Sequence, residues 1–128
     1  MLYSRCNAAG FRLLLGLALL LGTWQALTPA PLAPSSIDDK LLHAVVFVVL
    51  AFLTDIAWPD HDFGWRAFLG LALYGALIEG LQALTATRSA ELGDWLADLA
   101  GLLAFALLLG PALRRRFGRA PTDGRPGA

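Results

Sequence analysis

The stretch of sequence that decides the fold is residues 38–58, which read DDKLLHAVVFVVLAFLTDIAW. It opens with charged residues and His43, continues as an uncharged apolar run as far as Asp55, and ends in a tryptophan. A hydrocarbon core of about 30 Å takes about 20 helical residues to cross. A charge at the centre of such a helix costs about 2.5–3.5 kcal/mol on insertion scales, and the charges here lie near its ends. The stretch therefore predicts a membrane-spanning helix with polar ends.

The rest of the chain repeats this pattern. Four apolar stretches are separated by short connections, one of which has three prolines in residues 29–36. The 128 residues are 57% hydrophobic and 16% charged, whereas a soluble domain carries about 25% charged residues. All four tryptophans lie near the ends of these stretches, where an amphipathic ring lies at the level of the lipid headgroups. We expect an all-α fold, a four-helix transmembrane bundle with spans at Phe11–Thr28, Leu41–Trp58, Trp65–Leu84 and Leu92–Leu113.

The basic residues predict the orientation of the bundle. They concentrate near the two ends of the chain, at Arg5, Arg12, Arg114, Arg115, Arg116 and Arg119. Short cytoplasmic segments carry an excess of lysine and arginine, and four crossings return the chain to its starting side. Both termini are therefore predicted to be cytoplasmic. The predicted organisation is a cytoplasmic segment, a four-span membrane domain and a basic, disordered cytoplasmic tail, at residues 1–10, 11–113 and 114–128.

A cleaved signal peptide is the competing interpretation of the first span. Its apolar region would be Leu13–Leu21, and its cleavage site would follow Ala30 or Ala33. Pro31 or Pro34 would then come directly after the cut, which disfavours cleavage. We therefore expect the first span to remain in the protein.

Composition excludes several other functions. Arginines beside a hydrophobic run are more typical of a topology anchor than of a nucleic-acid site, so no nucleic-acid partner is expected. The single cysteine, Cys6, excludes an intramolecular disulfide.

Asp55 lies near the inner end of the second span, and we expect it to pair with Arg66 across the short loop.

Three clusters of polar residues lie at the ends of the predicted spans. They read Asp38-Asp39-Lys40-x-x-His43, Glu79-x-x-Gln82 and Arg88-x-x-Glu91-x-x-Asp94-x-x-x-Asp98. Under the predicted topology all three lie at the outer side of the bundle. Spacings of three and four residues place the members of a pair on one helix face, about one turn apart. The clusters are therefore predicted to form one site.

Small residues predict which helix faces meet. The third span has Ala72, Ala76 and Gly80 at every fourth position, and the fourth span has a similar stripe from Gly93 to Gly101. Such stripes allow two membrane helices to approach closely. We expect the third and fourth spans to pack along these stripes, with the acids turned towards the bundle interior.

The outer cluster has an excess of acids. Six carboxyl groups face Lys40, Arg88 and His43, and carboxylates this crowded must hold protons, pair with bases or bind a cation. We expect Arg88 and Lys40 to neutralise Glu79 and Asp94.

These residues, in this order, resemble the VanZ-like family of small bacterial membrane proteins. The resemblance covers roughly residues 37–110, and the matching elements are Asp39-Lys40-x-x-His43, Glu79-x-x-Gln82, Arg88, Asp94 and Ala97-Asp98-x-x-Gly101. Asp98 is a departure, because the family pattern usually has asparagine there. The resemblance implies a multi-pass protein of the bacterial inner (plasma) membrane, acting in the cell envelope, with a role like that of a relative linked to glycopeptide antibiotic resistance.

The cluster favours binding of a membrane lipid, or of a lipid-linked or peptidoglycan-related ligand. The expected ligand-binding residues are Asp39, Lys40, His43, Glu79, Gln82, Arg88, Asp94 and Asp98. His43, Glu79 and Asp94 are the candidates for acid–base catalysis. The nearby hydroxyl groups all lie in loops, so any hydrolysis needs an activated water, and binding is favoured over catalysis.

Two alternatives to ligand binding are open at this stage. In the first, the cluster is a polar clasp that only holds the helices together through hydrogen bonds. In the second, His43, Glu79, Asp94 and Asp98 supply one nitrogen and several oxygens to Mg, Mn or Zn. A lone histidine among carboxylates is more often simply hydrogen-bonded, so neither a metal nor another cofactor is predicted. The sequence does not specify an oligomeric state.

Overall fold

The computed structural model describes residues 3–29, 39–85 and 91–118, and all regular structure in these ranges is helical. Helix α1 is Arg5–Leu27, α2 is Asp39–Ala57 and α3 is Trp65–Ala83. A fourth, continuous helix comprises α4 (Leu92–Ala104), a π-helical turn (Phe105–Leu109) and α5 (Gly110–Phe117). The all-α fold is thus confirmed, and each helix overlaps one predicted span.

Three of the helices are long and apolar enough to cross a membrane, namely Arg5–Leu27, Asp39–Ala57 and Leu92–Phe117. Their outer surfaces carry exposed leucines such as Leu13, Leu20 and Leu107, as expected for helices that face lipid. These helices indicate a membrane protein. Helix α3 is not among the three, so its crossing stays a prediction.

Helix α2 is the centre of the bundle. It packs most extensively against α4, then against α1, and also contacts α3. The core between these helices is formed by large apolar side chains, among which Leu102 and Phe105 are fully enclosed. Because lipid is as apolar as these side chains, close packing and polar contacts between helices stabilise the bundle.

The closest approach of two backbones is between Gly101 of α4 and Ala44 of α2. A Cβ atom at Gly101 would overlap the carbonyl oxygen of Ala44, which only glycine avoids. The stripe that begins at Gly93 therefore faces α2, where Gly93 lies beside Lys40, and not α3 as predicted.

The predicted stripe on α3 also differs from the observed contact face. A Cβ atom at Gly80 would meet nothing within 4 Å, and Ala76 is exposed. Instead, Gly75 lies against Phe47, Trp95 and Asp98. The four-residue spacing places these small residues on one face of α3. It does not determine which face of α3 contacts the neighbouring helices, because the packing of those helices sets the rotation of α3 about its axis.

A buried ion pair joins α2 to α5 at one end of the bundle. Arg114 donates from Nη2 and Nε to Oδ1 of Asp55, at 2.7 and 3.0 Å, and its Nη2 also donates to the carbonyl oxygen of His61. The phenol of Tyr3 donates to Oδ2 of Asp55 at 2.8 Å. The prediction that Asp55 pairs with Arg66 is therefore wrong, because the guanidinium of Arg66 lies over the ring of Trp65.

Tyr3 is buried beside the ion pair of Asp55 with Arg114. Burial raises the pKa of its phenol, and the hydrogen bond to Asp55 raises the pKa further. The guanidinium of Arg114 lies 4.7 Å from the centre of the Tyr3 ring, within the range of a cation–π contact. The start of the chain is thus held against the end of the last helix.

The same end of the bundle holds the α2–α3 loop. Arg5 pairs with Asp60 at 3.0 Å, and Arg12 donates to the carbonyl oxygen of Ala57 at 3.0 Å. The described beginning and end of the chain therefore share one end of the bundle with this loop, as expected for four successive antiparallel helices. Arg114–Phe117 of the predicted disordered tail are helical, and residues 119–128 lie outside the described residues.

The π-helical turn ends two residues before Pro111. Pro111 has no N–H group to donate and its ring crowds the preceding turn, and local π geometry is one way in which membrane helices accommodate proline. The helix then continues without interruption into α5.

Candidate functional site

The candidate site lies at the opposite end of the bundle, where α2 begins, α3 ends and α4 begins. Asp39 is in the first turn of α2 and Asp94 in the first turn of α4, where the positive end of a helix dipole favours a carboxylate. Three helix ends thus bring their polar residues together, as the sequence predicts.

The shortest contact in the site joins α2 to α4. Nδ1 of His43 lies 2.8 Å from Oδ1 of Asp98, whose residue is only 2% exposed. When Asp98 is ionised its carboxylate only accepts, and the imidazole then donates from Nδ1. The other ring nitrogen, Nε2, lies 3.8 Å from Oδ2 of Asp94. Both acids of the predicted i,i+4 pair therefore face the same imidazole.

Glu79 brings α3 into the site. Its Oε2 accepts the backbone N–H of Glu91 at 3.1 Å, which ties the end of α3 to the start of α4. Ligand atoms of His43, Glu79 and Asp98 all lie within 4.8 Å of one another. Oε1 of Glu79 and Oδ1 of Asp94 are buried without a hydrogen-bond partner.

Lys40 supplies positive charge at the exposed edge of the cluster. Its Nζ lies 3.3 Å from Oε2 of Glu91 and 3.8 Å from Oδ1 of Asp94, so the predicted pairing of Lys40 with Asp94 is present at a longer distance than a hydrogen bond. Lys40 and Glu91 are both more than half exposed. An exposed pair of this kind contributes about 0–1 kcal/mol.

The other predicted site residues lie apart from the cluster or outside the described residues. Gln82 is buried and donates from Nε2 to the carbonyl oxygen of Ala26 at 3.0 Å, so it ties α3 to α1. Asp39 is exposed at the first residue of α2. Arg88 and Asp38 lie outside the described residues.

An open groove adjoins the cluster between α3 and α4. It has a volume of about 400 Å³, its walls are mostly apolar, and it is lined by Ala76, Glu79, Gly80, Glu91, Leu92 and Trp95. Trp95 is fixed by a hydrogen bond from its indole Nε1 to the carbonyl oxygen of Ala72, at 3.0 Å. Ala76 and Gly80, which were predicted to pack against α4, instead line this open space.

Two features of the site do not follow from sequence patterns. Trp95 is one of four tryptophans at span ends, and its position alone does not reveal the groove. Glu91, absent from the predicted ligand-binding set, reaches Lys40 with its side chain and Glu79 with its backbone. The sequence feature that could have identified Glu91 is its position in the third polar cluster, between Arg88 and Asp94.

Comparisons with family models, with curated proteins and with solved structures give no match for this chain. The fold and the site therefore define the class of protein on their own. Over its described residues it is an all-helical protein with three helices able to cross a membrane, with a histidine–carboxylate cluster at one end and a buried arginine–aspartate pair at the other.

Proposed function

We propose that the chain is a VanZ-like integral membrane protein of the bacterial inner membrane, and that it binds a lipid-linked ligand of the cell envelope. In this proposal α3 is the fourth membrane span, both termini are cytoplasmic, and the His43–Asp98 cluster faces outward. The resemblance of the motifs supports the family, and the arginines at the chain ends support the orientation.

The observation that carries the proposal is the continuity between the polar cluster and the apolar groove. Glu79 belongs to both, since it lines the groove and its carboxylate lies within the cluster. A lipid has the same two parts, a hydrocarbon chain and a polar head. The hydrocarbon chain would occupy the groove beside Ala76 and Gly80, and the head would reach the cluster.

A lipid chain is the occupant that this position favours. The groove opens on the outside of the bundle, next to exposed leucines of α3 such as Leu73 and Leu77. Within a bilayer, lipid chains are the apolar groups that surround such a surface. Binding, rather than catalysis, is proposed, because the three acid–base candidates, His43, Glu79 and Asp94, are not accompanied by a nucleophile among the described residues of the cluster.

The test fills the groove without disturbing the fold. Gly80→Leu adds a side chain where a Cβ atom meets nothing within 4 Å, and Gly70→Leu does the same on α3 away from the groove. Both variants are compared with the wild type for cross-linking to lipids with a photoreactive acyl chain. We expect Gly80→Leu alone to weaken labelling of the groove, by about tenfold for a loss of about 1.4 kcal/mol. Equal labelling of both variants would contradict the lipid proposal.

A structural clasp is the second candidate function of the cluster. It is favoured by the 2.8 Å contact of His43 with Asp98 and by the bond from Glu91 to Glu79, which together connect three helices. Single substitutions of His43, Arg88 and Asp94 separate the two functions. A clasp lowers protein level and glycopeptide tolerance together, whereas a binding site lowers tolerance at unchanged protein level.

A further inference from the structure

We propose that His43, Glu79 and Asp94, with Asp98 orienting the imidazole, bind a first-row divalent metal ion, Zn²⁺ or Mn²⁺, at the end of the bundle where α2 and α4 begin. This inference goes beyond lipid binding and needs only the geometry of the cluster. The sequence alone favours a simple hydrogen bond at His43, and three observations change that expectation.

The first observation is the orientation of the imidazole. Asp98 is almost fully buried and accepts from Nδ1 of His43, which leaves Nε2 with a free lone pair in the neutral ring. Metal-binding histidines almost always donate their second nitrogen to a carboxylate or carbonyl in this way. Asp98 therefore has the position of the residue that orients a metal ligand, and Nε2 is the atom available to the ion.

The second observation is the spacing of the ligand atoms. Nε2 of His43 and Oδ2 of Asp94 are 3.8 Å apart. Two ligands held at about 2.0–2.2 Å in a tetrahedral shell lie about 3.3–3.6 Å apart, so a small movement brings both to one ion. Glu79 has a carboxylate oxygen within 4.8 Å of a ring nitrogen of His43, so a movement of its side chain would supply a third ligand.

The third observation is that two enclosed carboxylate oxygens accept no hydrogen bond, although Nζ of Lys40 lies 3.8 Å from one of them, Oδ1 of Asp94. Oε1 of Glu79 and Oδ1 of Asp94 are buried and accept no hydrogen bond. A buried charged oxygen without a partner costs more than about 1–3 kcal/mol, and a cation between these side chains removes that cost. The two oxygens come from different helices, so one ion would satisfy α3 and α4 together.

The donor set selects the ion. One imidazole nitrogen with carboxylate oxygens suits Zn²⁺ and Mn²⁺, whereas Ca²⁺ takes six to eight oxygen ligands and Mg²⁺ is usually held through waters and one or two carboxylates. The ion would also reduce the excess negative charge of the cluster. Its role towards a ligand would be to attract an anionic group that the acids alone repel.

The experiment uses the full chain, purified in detergent without a polyhistidine tag and stripped with a chelator. After dialysis against Zn²⁺ or Mn²⁺, metal content is measured by mass spectrometry, and Co²⁺ is added to record ligand-field absorption. We expect stoichiometric metal, and a thermal midpoint that rises with metal concentration. A chain without stoichiometric metal would overturn the proposal.

The variants identify the ligands. His43→Gln and Glu79→Gln are expected to weaken metal affinity by about 10–100-fold or more, and Asp98→Asn by about 10–100-fold. The matched control is His61→Gln, since His61 is the second of the two histidines and is exposed at the other end. If His43→Gln fails to fold, Glu79→Gln still tests the site. The glutamine at position 79 keeps an oxygen that accepts the backbone N–H of Glu91.

Two outcomes separate this inference from the lipid proposal. Gly80→Leu, which fills the groove, is expected to retain the metal affinity of the wild type while losing lipid labelling. Unchanged metal affinity in both His43→Gln and Glu79→Gln would show that the metal binds elsewhere and would overturn the site, whatever the lipid result.

Discussion

The guanidinium of Arg114 donates two hydrogen bonds to one carboxylate oxygen of Asp55, a residue 59 positions earlier in the chain. The Asp55 side chain is fully buried, and Arg114 also reaches Asp62 at 2.9 Å. Arg114 thus has a structural role in addition to the topological role predicted for the run Arg114–Arg116. The sequence of this run does not show which of its three arginines is buried.

Replacing Arg114 is expected to be strongly destabilising. Arg114→Ala leaves the carboxylate of Asp55 buried without its charged partner, and breaking a buried pair costs about 3–5 kcal/mol. The matched control is Arg115→Ala, because Arg115 is the exposed neighbour on the same helix. Thermal unfolding in detergent compares the two variants. Equal midpoints for both would contradict the role assigned to Arg114.

Replacing Gly101 is expected to separate α2 from α4. Gly101→Ala places a Cβ atom on the carbonyl oxygen of Ala44, and overpacking of this kind costs about 1–3 kcal/mol. Gly70→Ala is the control, since its Cβ meets nothing within 4 Å and alanine favours the helix. Unfolding midpoints should fall for Gly101→Ala and not for Gly70→Ala. A stable Gly101→Ala protein would exclude the close approach.

Removal of the Tyr3 hydroxyl should change stability at alkaline pH. The folded pKa of Tyr3 is raised above its ordinary value of about 10. The protonated Tyr3 phenol therefore contributes its full stabilisation of the folded state below about pH 10. This stabilisation is lost as the pH rises through the folded pKa. Tyr3→Phe removes the bond to Asp55, at a cost of about 0.5–1.5 kcal/mol. The difference in unfolding midpoint between wild type and Tyr3→Phe should shrink above pH 10; a constant difference would contradict the burial of this phenol.

The proposed topology predicts opposite labelling of the two bundle ends. With Cys6 replaced by serine, Asp39→Cys and His61→Cys each introduce a single exposed cysteine at opposite ends. A membrane-impermeant maleimide added to intact cells should label position 39 and not position 61. Labelling of both positions from outside would exclude an outward-facing cluster with cytoplasmic termini.

The positions of the helices and of the polar cluster could be predicted because both follow from short-range spacing. Apolar length defines a span, and i,i+4 spacing places Asp94 and Asp98 on one face of α4. The order of the clusters along the chain then places them at one end of the bundle. These inferences need no knowledge of which helices are neighbours.

The partners of individual residues could not be predicted, because they depend on how each helix is rotated and which helix it packs against. Gln82 has the spacing of a cluster member, yet it reaches the end of α1 at Ala26. Asp55 pairs with Arg114, which is distant in sequence, and not with Arg66 nearby. A carboxylate buried in an apolar helix indicates that a partner exists without identifying it.

The π-helical turn at Phe105–Leu109 sets the rotational phase between the two ends of the last helix. From Asp98 to Arg114 a regular α-helix would turn about 160° beyond whole turns, placing the two side chains on nearly opposite faces. A π turn absorbs about one extra residue, which reduces the offset to about 60° and allows both side chains to reach α2. A one-residue insertion in this helix would restore the offset of about 160°, and α2 would then keep either its histidine contact or its arginine contact, and not both.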